Sequence, residues 1–274
     1  VEPDAVDILM NVLKTVNDSK PNNDLRSYME NINFGKLTGI GVGPGDPELM
    51  TLKAINVIKN SDIIAFPGKS KDESMAFGIA EKAVPEIIEK ELLAIDLPMT
   101  KDTKRLRKNH ENAALTIEKH LKAGENIAFL TLGDPAFYST FSYIKDIVKR
   151  DGFDTEIIAG VTSFNAVAAK LNIPISLGNE SVLILPGLDE EDAIFSQSHN
   201  LPDNIIILKA GKNAGKIREV LKSAGYSAAM ISNCGLENEE IFNNIDAIPD
   251  NASYFSLIIA KKNYMGYNSP SALH

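Results

Sequence analysis

From residue 37 to residue 171 the chain alternates between short apolar runs and longer segments whose apolar residues recur at helical spacing. No other feature restricts the fold as much. Apolar, β-branched runs fall at 37–42, 62–66, 91–96, 126–132 and 155–159, and helical patterns at 51–60, 74–84, 139–150 and 163–171. A long amphipathic stretch carries Leu106, Ala113, Ile117 and Leu121 on one face and stops at Gly124. Strands separated by helices must be joined by crossovers, which predicts a parallel sheet with helices packed against it. The segment "NIPISLGNES" at 172–181 has the Pro and Gly content of a linker. Beyond it, runs at 181–185, 204–208, 227–232 and 253–261, a helix near 213–224 and a short strand around Glu240 to Phe242 predict a second α/β domain. Its sheet should be mixed, because several connections are too short for crossovers. The expected organisation is a helical extension and linker over 1–35, domains over 36–175 and 176–263, and a tail over 264–274.

Composition narrows the function classes. With 274 residues, 44% of them apolar, the chain can bury two modest cores. A net charge of -9 argues against a general nucleic-acid binder, which needs a surplus of Lys and Arg on at least one face. One cysteine, Cys234, excludes an intrachain disulfide, and His110, His120, His199 and His274 are too scattered to suggest a metal site. No apolar run is long enough to span a bilayer and no signal peptide is visible, so a cytoplasmic location is expected.

The stretch "LTGIGVGPGDPELMT" places Gly39, Gly41, Gly43 and Gly45 at the end of an apolar run. A dinucleotide fingerprint needs glycines at positions one, three and six, but the sixth position is Pro44 counted from Gly39 and Asp46 counted from Gly41. A P-loop built on "PGKS" needs a glycine where Ile63 stands. Neither phosphate motif fits. Three more strand ends share the bare-backbone character: Gly133-Asp134-Pro135 in "FLTLGDPAFYST", Gly160-Val161-Thr162-Ser163, and Pro186-Gly187 in "VLILPGL". Each alone reads as a tight turn. Together they suggest a crevice in which a ligand approaches the main chain closely. The basic run "KDTKRLRKNH" at 101–110 is either a solvated helix face or a carboxylate-binding patch, with Arg105 and Arg107 suited to the latter by their planar forks.

The motifs "GIGVGPGDPELMTLKAINVI", "LTLGDPAFYST", "GVTSFNAVAAKLNIPI", "LILPGL" and "ILKAGKNAGKIREVLKSAGY", in that order, resemble the tetrapyrrole methylase family. The similarity covers roughly residues 36–262; "LTLGDPAFYST" together with "LKAGK" resembles most the enzymes that methylate carbon 20 of precorrin-2 or cobalt-factor II. The "LGDP…YST" form resembles the cobalt-dependent anaerobic branch, which implies cobalt-factor II as substrate. The resemblance implies two α/β domains with a ligand cleft between them, a homodimer, and S-adenosyl-L-methionine as methyl donor to a tetrapyrrole, without nucleic-acid or membrane partners. It implies donor contacts from Pro44, Leu132, Gly133, Asp134, Phe137, Thr162, Ser163 and Pro186, with the main chain near Asn233 to Gly235 beside the adenine. It also implies that the glycines of "GVGPGDP" leave room for a large planar substrate, and that any cobalt belongs to that substrate. Asp46 and Tyr138 follow two of the strand ends and are candidates for the base that takes the proton from carbon 20. Their plainer roles are an Asx turn and a wall residue. Metal-free precorrin-2, another ring position, or a non-catalytic tetrapyrrole carrier are the alternatives.

Overall fold

A computed structural model describes residues 34–98, 102–187 and 201–262; the expected N-terminal extension up to residue 33 and the tail lie outside the described residues. The described chain divides into two compact units. The first comprises residues up to Gly43 and Pro47–Val161. Its strands β1 (Leu37–Gly41), β2 (Ile63–Pro67), β3 (Glu91–Ile95), β4 (Ile127–Thr131) and β5 (Thr155–Ile158) form a wholly parallel sheet in the order β3-β2-β4-β1-β5. Four helices connect them: α1 (Leu52–Asn60), α2 (Met75–Ala83), α3 (Thr103–Lys122) and α4 (Phe141–Arg150).

The central strands are apolar at almost every position because side chains alternate between two covered faces. Ile40, Ile64, Phe66, Ala128 and Leu130 pack with Ala54 and Ile58 of α1 and Phe77 of α2. Leu37, Ile63, Ala65, Ile127 and Phe129 pack with Ala113, Ile117 and Leu121 of α3 and Phe141 and Ile144 of α4. Each of the larger side chains contributes about 1.5–3 kcal/mol by full burial. Local signals set the helix starts: Thr51 Oγ1 accepts from Ala54 N at 3.1 Å, and Asp102 Oδ1 from Lys104 N at 2.9 Å and Arg105 N at 3.2 Å.

This winding also positions a site. β1 and β4 are hydrogen-bonded neighbours, yet β1 leads into α1 on one face and β4 into α4 on the other. Where neighbouring strands diverge in this way, a crevice opens at their carboxyl ends.

His110 of α3 is buried and stacks on Tyr143 of α4, with ring centroids 5.1 Å apart and planes at 10°. This is a packing role, and burial pushes the imidazole pKa below its ordinary 6.5. The native state then binds fewer protons than the unfolded chain below pH 6.5, so the stability present above that pH is lost as pH falls towards the folded pKa. His110→Phe is expected to flatten this acid-side slope, read as the urea midpoint of variant and wild type along a pH series.

The second unit takes in Pro44–Asp46 and the chain from Thr162 onward. Its strands β6 (Val182–Leu185), β7 (Asn204–Ile207), β8 (Ser227–Ser232), β9 (Glu240–Phe242) and β10 (Ser256–Lys261) form a mixed sheet in the order β6-β7-β10-β8-β9. Only β6 and β7 run parallel; the other pairs are antiparallel. Helix α5 (Ser163–Lys170) contacts β10, and α6 (Ala214–Ser223) buries Ile217 and Leu221 against Ile205, Ile207, Met230 and Ile258. The division falls at Val161, earlier than the expected boundary at 175. Within this unit the buried ammonium of Lys261 on β10 donates to the carbonyls of Pro174 (3.1 Å) and Ile175 (3.0 Å) and to Asn204 Oδ1 (2.6 Å). Those bonds fasten the segment after α5 to the second sheet.

Candidate functional site

In the first unit the loops that follow β1 and β4 are tied to each other. Val42 N donates to Thr131 O at 3.0 Å, Gly133 N to Gly43 O at 2.8 Å and Gly43 N to Gly133 O at 3.3 Å. Gly43 and Gly133 hold φ of +79° and +70°, a region that costs other residues about 1–2 kcal/mol.

The remaining glycines do not leave the space expected of them. A Cβ on Gly39 would lie 2.2 Å from the Phe141 ring; one on Gly41, 2.5 Å from Gly160 N; one on Gly160, 2.2 Å from Gly133 O; and one on Gly45, 2.4 Å from Cys234 O. These four let backbone and ring approach closely. Gly133 is different: a Cβ there meets nothing within 4 Å. The open space at the crevice therefore lies over Gly133.

Asp134 braces this arrangement. Its Oδ1 accepts from Ala136 N at 2.7 Å and its Oδ2 from Gly160 N at 2.9 Å, holding the end of β5 against the turn after β4. Leu132 is half-buried against the core, and Phe137 and Tyr138 meet edge to face at 4.7 Å. Tyr138 is 56% exposed with φ of +47°, a left-handed conformation uncommon for an aromatic residue. The structure thus gathers Leu132, Gly133, Asp134, Phe137 and Tyr138 on one loop beside Gly43 and Gly160.

Pro44, Asp46, Thr162, Ser163 and Pro186 belong to the second unit. The Pro44–Asp46 tip packs on the turn at Asn233 to Gly235: Gly45 abuts Cys234 O, and a Cβ on Gly235 would come within 2.7 Å of Asp46 N. Glu239 holds that turn, accepting from Gly235 N at 2.7 Å and pairing with Lys170 Nζ at 3.1 Å. Asn233, at φ of +53°, donates to Asn238 O at 3.2 Å and accepts from Ser253 Oγ at 2.7 Å. Burial, and then the nearby Glu239 carboxylate, push the Cys234 thiol up to about 11, so it is protonated and unreactive at neutral pH. Thr162 stands at the N-cap of α5 but makes no capping bond; its Oγ1 is buried without a hydrogen-bond partner. Ser163 opens the helix, and Pro186 is exposed after β6.

Arg105 and Arg107 are exposed on the first turns of α3, and Arg107 Nε pairs with Glu111 Oε1 at 3.0 Å. This i,i+4 pair is a solvated-surface contact worth at most about 1 kcal/mol. Sequence reasoning missed the supporting residues Lys170 and Glu239, whose partners are distant or unmarked by motif. It also missed Thr131, another buried hydroxyl without a partner, and Lys209, held at φ of +53° with its ammonium 5.7 Å from the Tyr254 ring.

Buried polar atoms are almost always paired. In the first unit the unpartnered Thr131 hydroxyl and the open space over left-handed Gly133 offer a bonding group and room to a ligand rich in hydroxyl, amine and carboxylate groups. In the second unit the unpartnered Thr162 hydroxyl offers a bonding group of the same kind. Adenosylated methionine has those groups, so the residues present fit it.

Residues 36–249 match the Tetrapyrrole (Corrin/Porphyrin) Methylases family. The chain is 39% identical over 233 residues to a Methanocaldococcus jannaschii protein named "Probable cobalt-precorrin-2 C(20)-methyltransferase", covering 83% of this chain and 96% of that one. It is 27% identical over 244 residues to the precorrin-2 C(20)-methyltransferase of a Sinorhizobium species, covering 84% and 97%. A uroporphyrin-III C-methyltransferase from Thermus thermophilus, solved with S-adenosyl homocysteine, has the same fold: TM-score 0.57 at 17% identity, covering 83% of this chain and 98% of that one.

Proposed function

The chain belongs to the tetrapyrrole methylase family, and on that premise we propose that it methylates carbon 20 of a cobalt-loaded precorrin-2 tetrapyrrole in cobalamin biosynthesis. It is an S-adenosylmethionine-dependent tetrapyrrole C-methyltransferase. The observation that carries the choice of substrate is the 39% identity to a relative named for the cobalt substrate, against 27% to one named for the metal-free substrate. Side-by-side assays with cobalt-loaded and metal-free substrate test the reading. Faster transfer to the cobalt form is expected; preference for the metal-free form would overturn it. Donor binding without transfer to either would favour a different ring position, and absence of donor binding a carrier.

The donor supplies a methyl group already activated for displacement as a sulfonium. The chain's own task is then mostly orientation and exclusion of water, with little acid–base chemistry beyond removal of the carbon-20 proton. We assign donor binding to Pro44, Leu132, Gly133, Asp134, Phe137, Thr162, Ser163 and Pro186. Support comes from the open space at Gly133 and the unpartnered hydroxyl of Thr162. Asp46 and Tyr138 are the two candidates for the one base that takes the proton leaving carbon 20, and the strained backbone of Tyr138 supports a role beyond packing. Arg105 and Arg107 are assigned to substrate carboxylates, each contributing up to about 1 kcal/mol at such exposure. The working form is a homodimer in the cytoplasm.

Thr162→Val tests the donor assignment with little risk to the fold. Removing an unpaired buried hydroxyl at constant shape is close to neutral for stability. If that hydroxyl bonds the donor, about 0.5–1.5 kcal/mol is lost, so the dissociation constant should rise about two- to thirteenfold. Calorimetric titration giving an unchanged constant would remove Thr162 from the site.

A further inference from the structure

Glu91, His120 and Glu125 take no part in the reading above, yet their ligand-bearing atoms all lie within 4.8 Å of one another. We propose that these three side chains bind one divalent cation of the Zn2+ class. The ion would tie the carboxyl end of α3 to the amino-terminal edge of the first sheet.

The local backbone presents two of the ligands. Glu125 N donates to His120 O at 3.1 Å and Gly124 N to Leu121 O at 3.0 Å, with Gly124 at φ of +86°. This is a Schellman ending, in which the residue after the left-handed glycine folds back over the last turn, usually with an apolar contact there. Here that neighbourhood instead holds a carboxylate and an imidazole, with His120 Nδ1 2.8 Å from Glu125 Oε2. Both are partly sheltered, their side chains 24% and 36% exposed. Glu91, the exposed first residue of β3, supplies the third group from a different element.

A histidine–glutamate pair alone does not call for a second carboxylate, because two converging carboxylates repel each other. A dication removes that repulsion, and one imidazole with two carboxylates is a donor set suited to Zn2+, water completing the fourth position. Tetrahedral ligands about 2.0–2.2 Å from the metal lie roughly 3.3 Å apart. The exposed Glu91 side chain can close the remaining gap by changing rotamer.

The site is remote from the methyl-transfer crevice. Glu125 precedes β4 and Gly133 follows it, so about 16 Å of five-residue strand separates the two ends. The ion's role is therefore structural. Sequence reading gave His120 no metal role because its partners come from a strand start and a helix cap.

The test uses the full chain, treated with a chelator, exchanged into buffer and titrated with ZnCl2 in competition with a chromophoric chelator. One ion per chain is expected, with binding weakened at least tenfold in both His120→Gln and Glu91→Gln. The thermal midpoint should rise with ZnCl2 in the wild type and not in the variants. Affinity for S-adenosylmethionine should be the same with and without the ion. Glu91 is exposed, so its variant keeps the result interpretable if His120→Gln folds poorly. No saturable binding, or binding of equal strength in Glu91→Gln, would overturn the proposal.

Discussion

Gly160→Ala is expected to reduce methyl transfer by on the order of a hundredfold or more, the scale of a displacement of about 1 Å among reacting groups. A Cβ there would lie 2.2 Å from Gly133 O and 2.8 Å from Gly41 Cα, and neither backbone atom can turn aside. The ends of β1, β4 and β5 must spread, which breaks the Asp134 to Gly160 bond and moves the loop carrying Gly133 to Tyr138. Overpacking of this kind costs about 1–3 kcal/mol, so the protein should still fold. Gly133→Ala is the contrasting arm. Its Cβ enters open space at φ of +70°, so about 1–2 kcal/mol is lost to conformation while the strand ends stay together. Its expected defect is weaker donor binding in an otherwise intact site. Urea titration and donor calorimetry on both variants check this; full activity in Gly160→Ala would show that the strand ends yield without consequence.

Lys261→Met is expected to destabilise the second unit by about 3–5 kcal/mol, the range for removing one partner of a buried charged group. Methionine preserves most of the stem but strands three acceptors, the carbonyls of Pro174 and Ile175 and the Asn204 side chain, each worth about 1–3 kcal/mol when left unsatisfied. Against a typical total of about 5–15 kcal/mol this is a large fraction. Chemical denaturation should show a lower midpoint, and proteolysis should cut earlier within 172–181. A shift below about 1 kcal/mol would mean that water replaces the lost bonds.

Much of the fold was legible in the sequence because burial on both faces makes the strands of a parallel sheet apolar runs, and Ile63 to Phe66 and Ile127 to Leu130 read that way directly. The mixed character of the second sheet was readable from connection lengths, and the short strand at Glu240 to Phe242 from the local pattern. The glycine motifs were visible too, but not what each glycine does. Gly41 and Gly133 look alike along the chain. Only the register of β1 with β4 and the arrival of Gly160 make the first a packing contact and leave the second open.

The sequence alone determined the alternation of strand and helix, the strand-end turns and the motif order that marks the family, because those depend on neighbours close in the chain. Tertiary structure decided which distant groups meet. Lys261 fastens the segment that composition had marked as a linker, and Glu239 joins Lys170 to the turn at Gly235. Asp134 spans two strand ends, and Glu91 at the start of β3 lies within 4.8 Å of the His120–Glu125 pair at the end of α3. A charged or polar side chain takes its role from whichever partner the sheet order brings within about 3 Å. Local propensity carries no information about that partner.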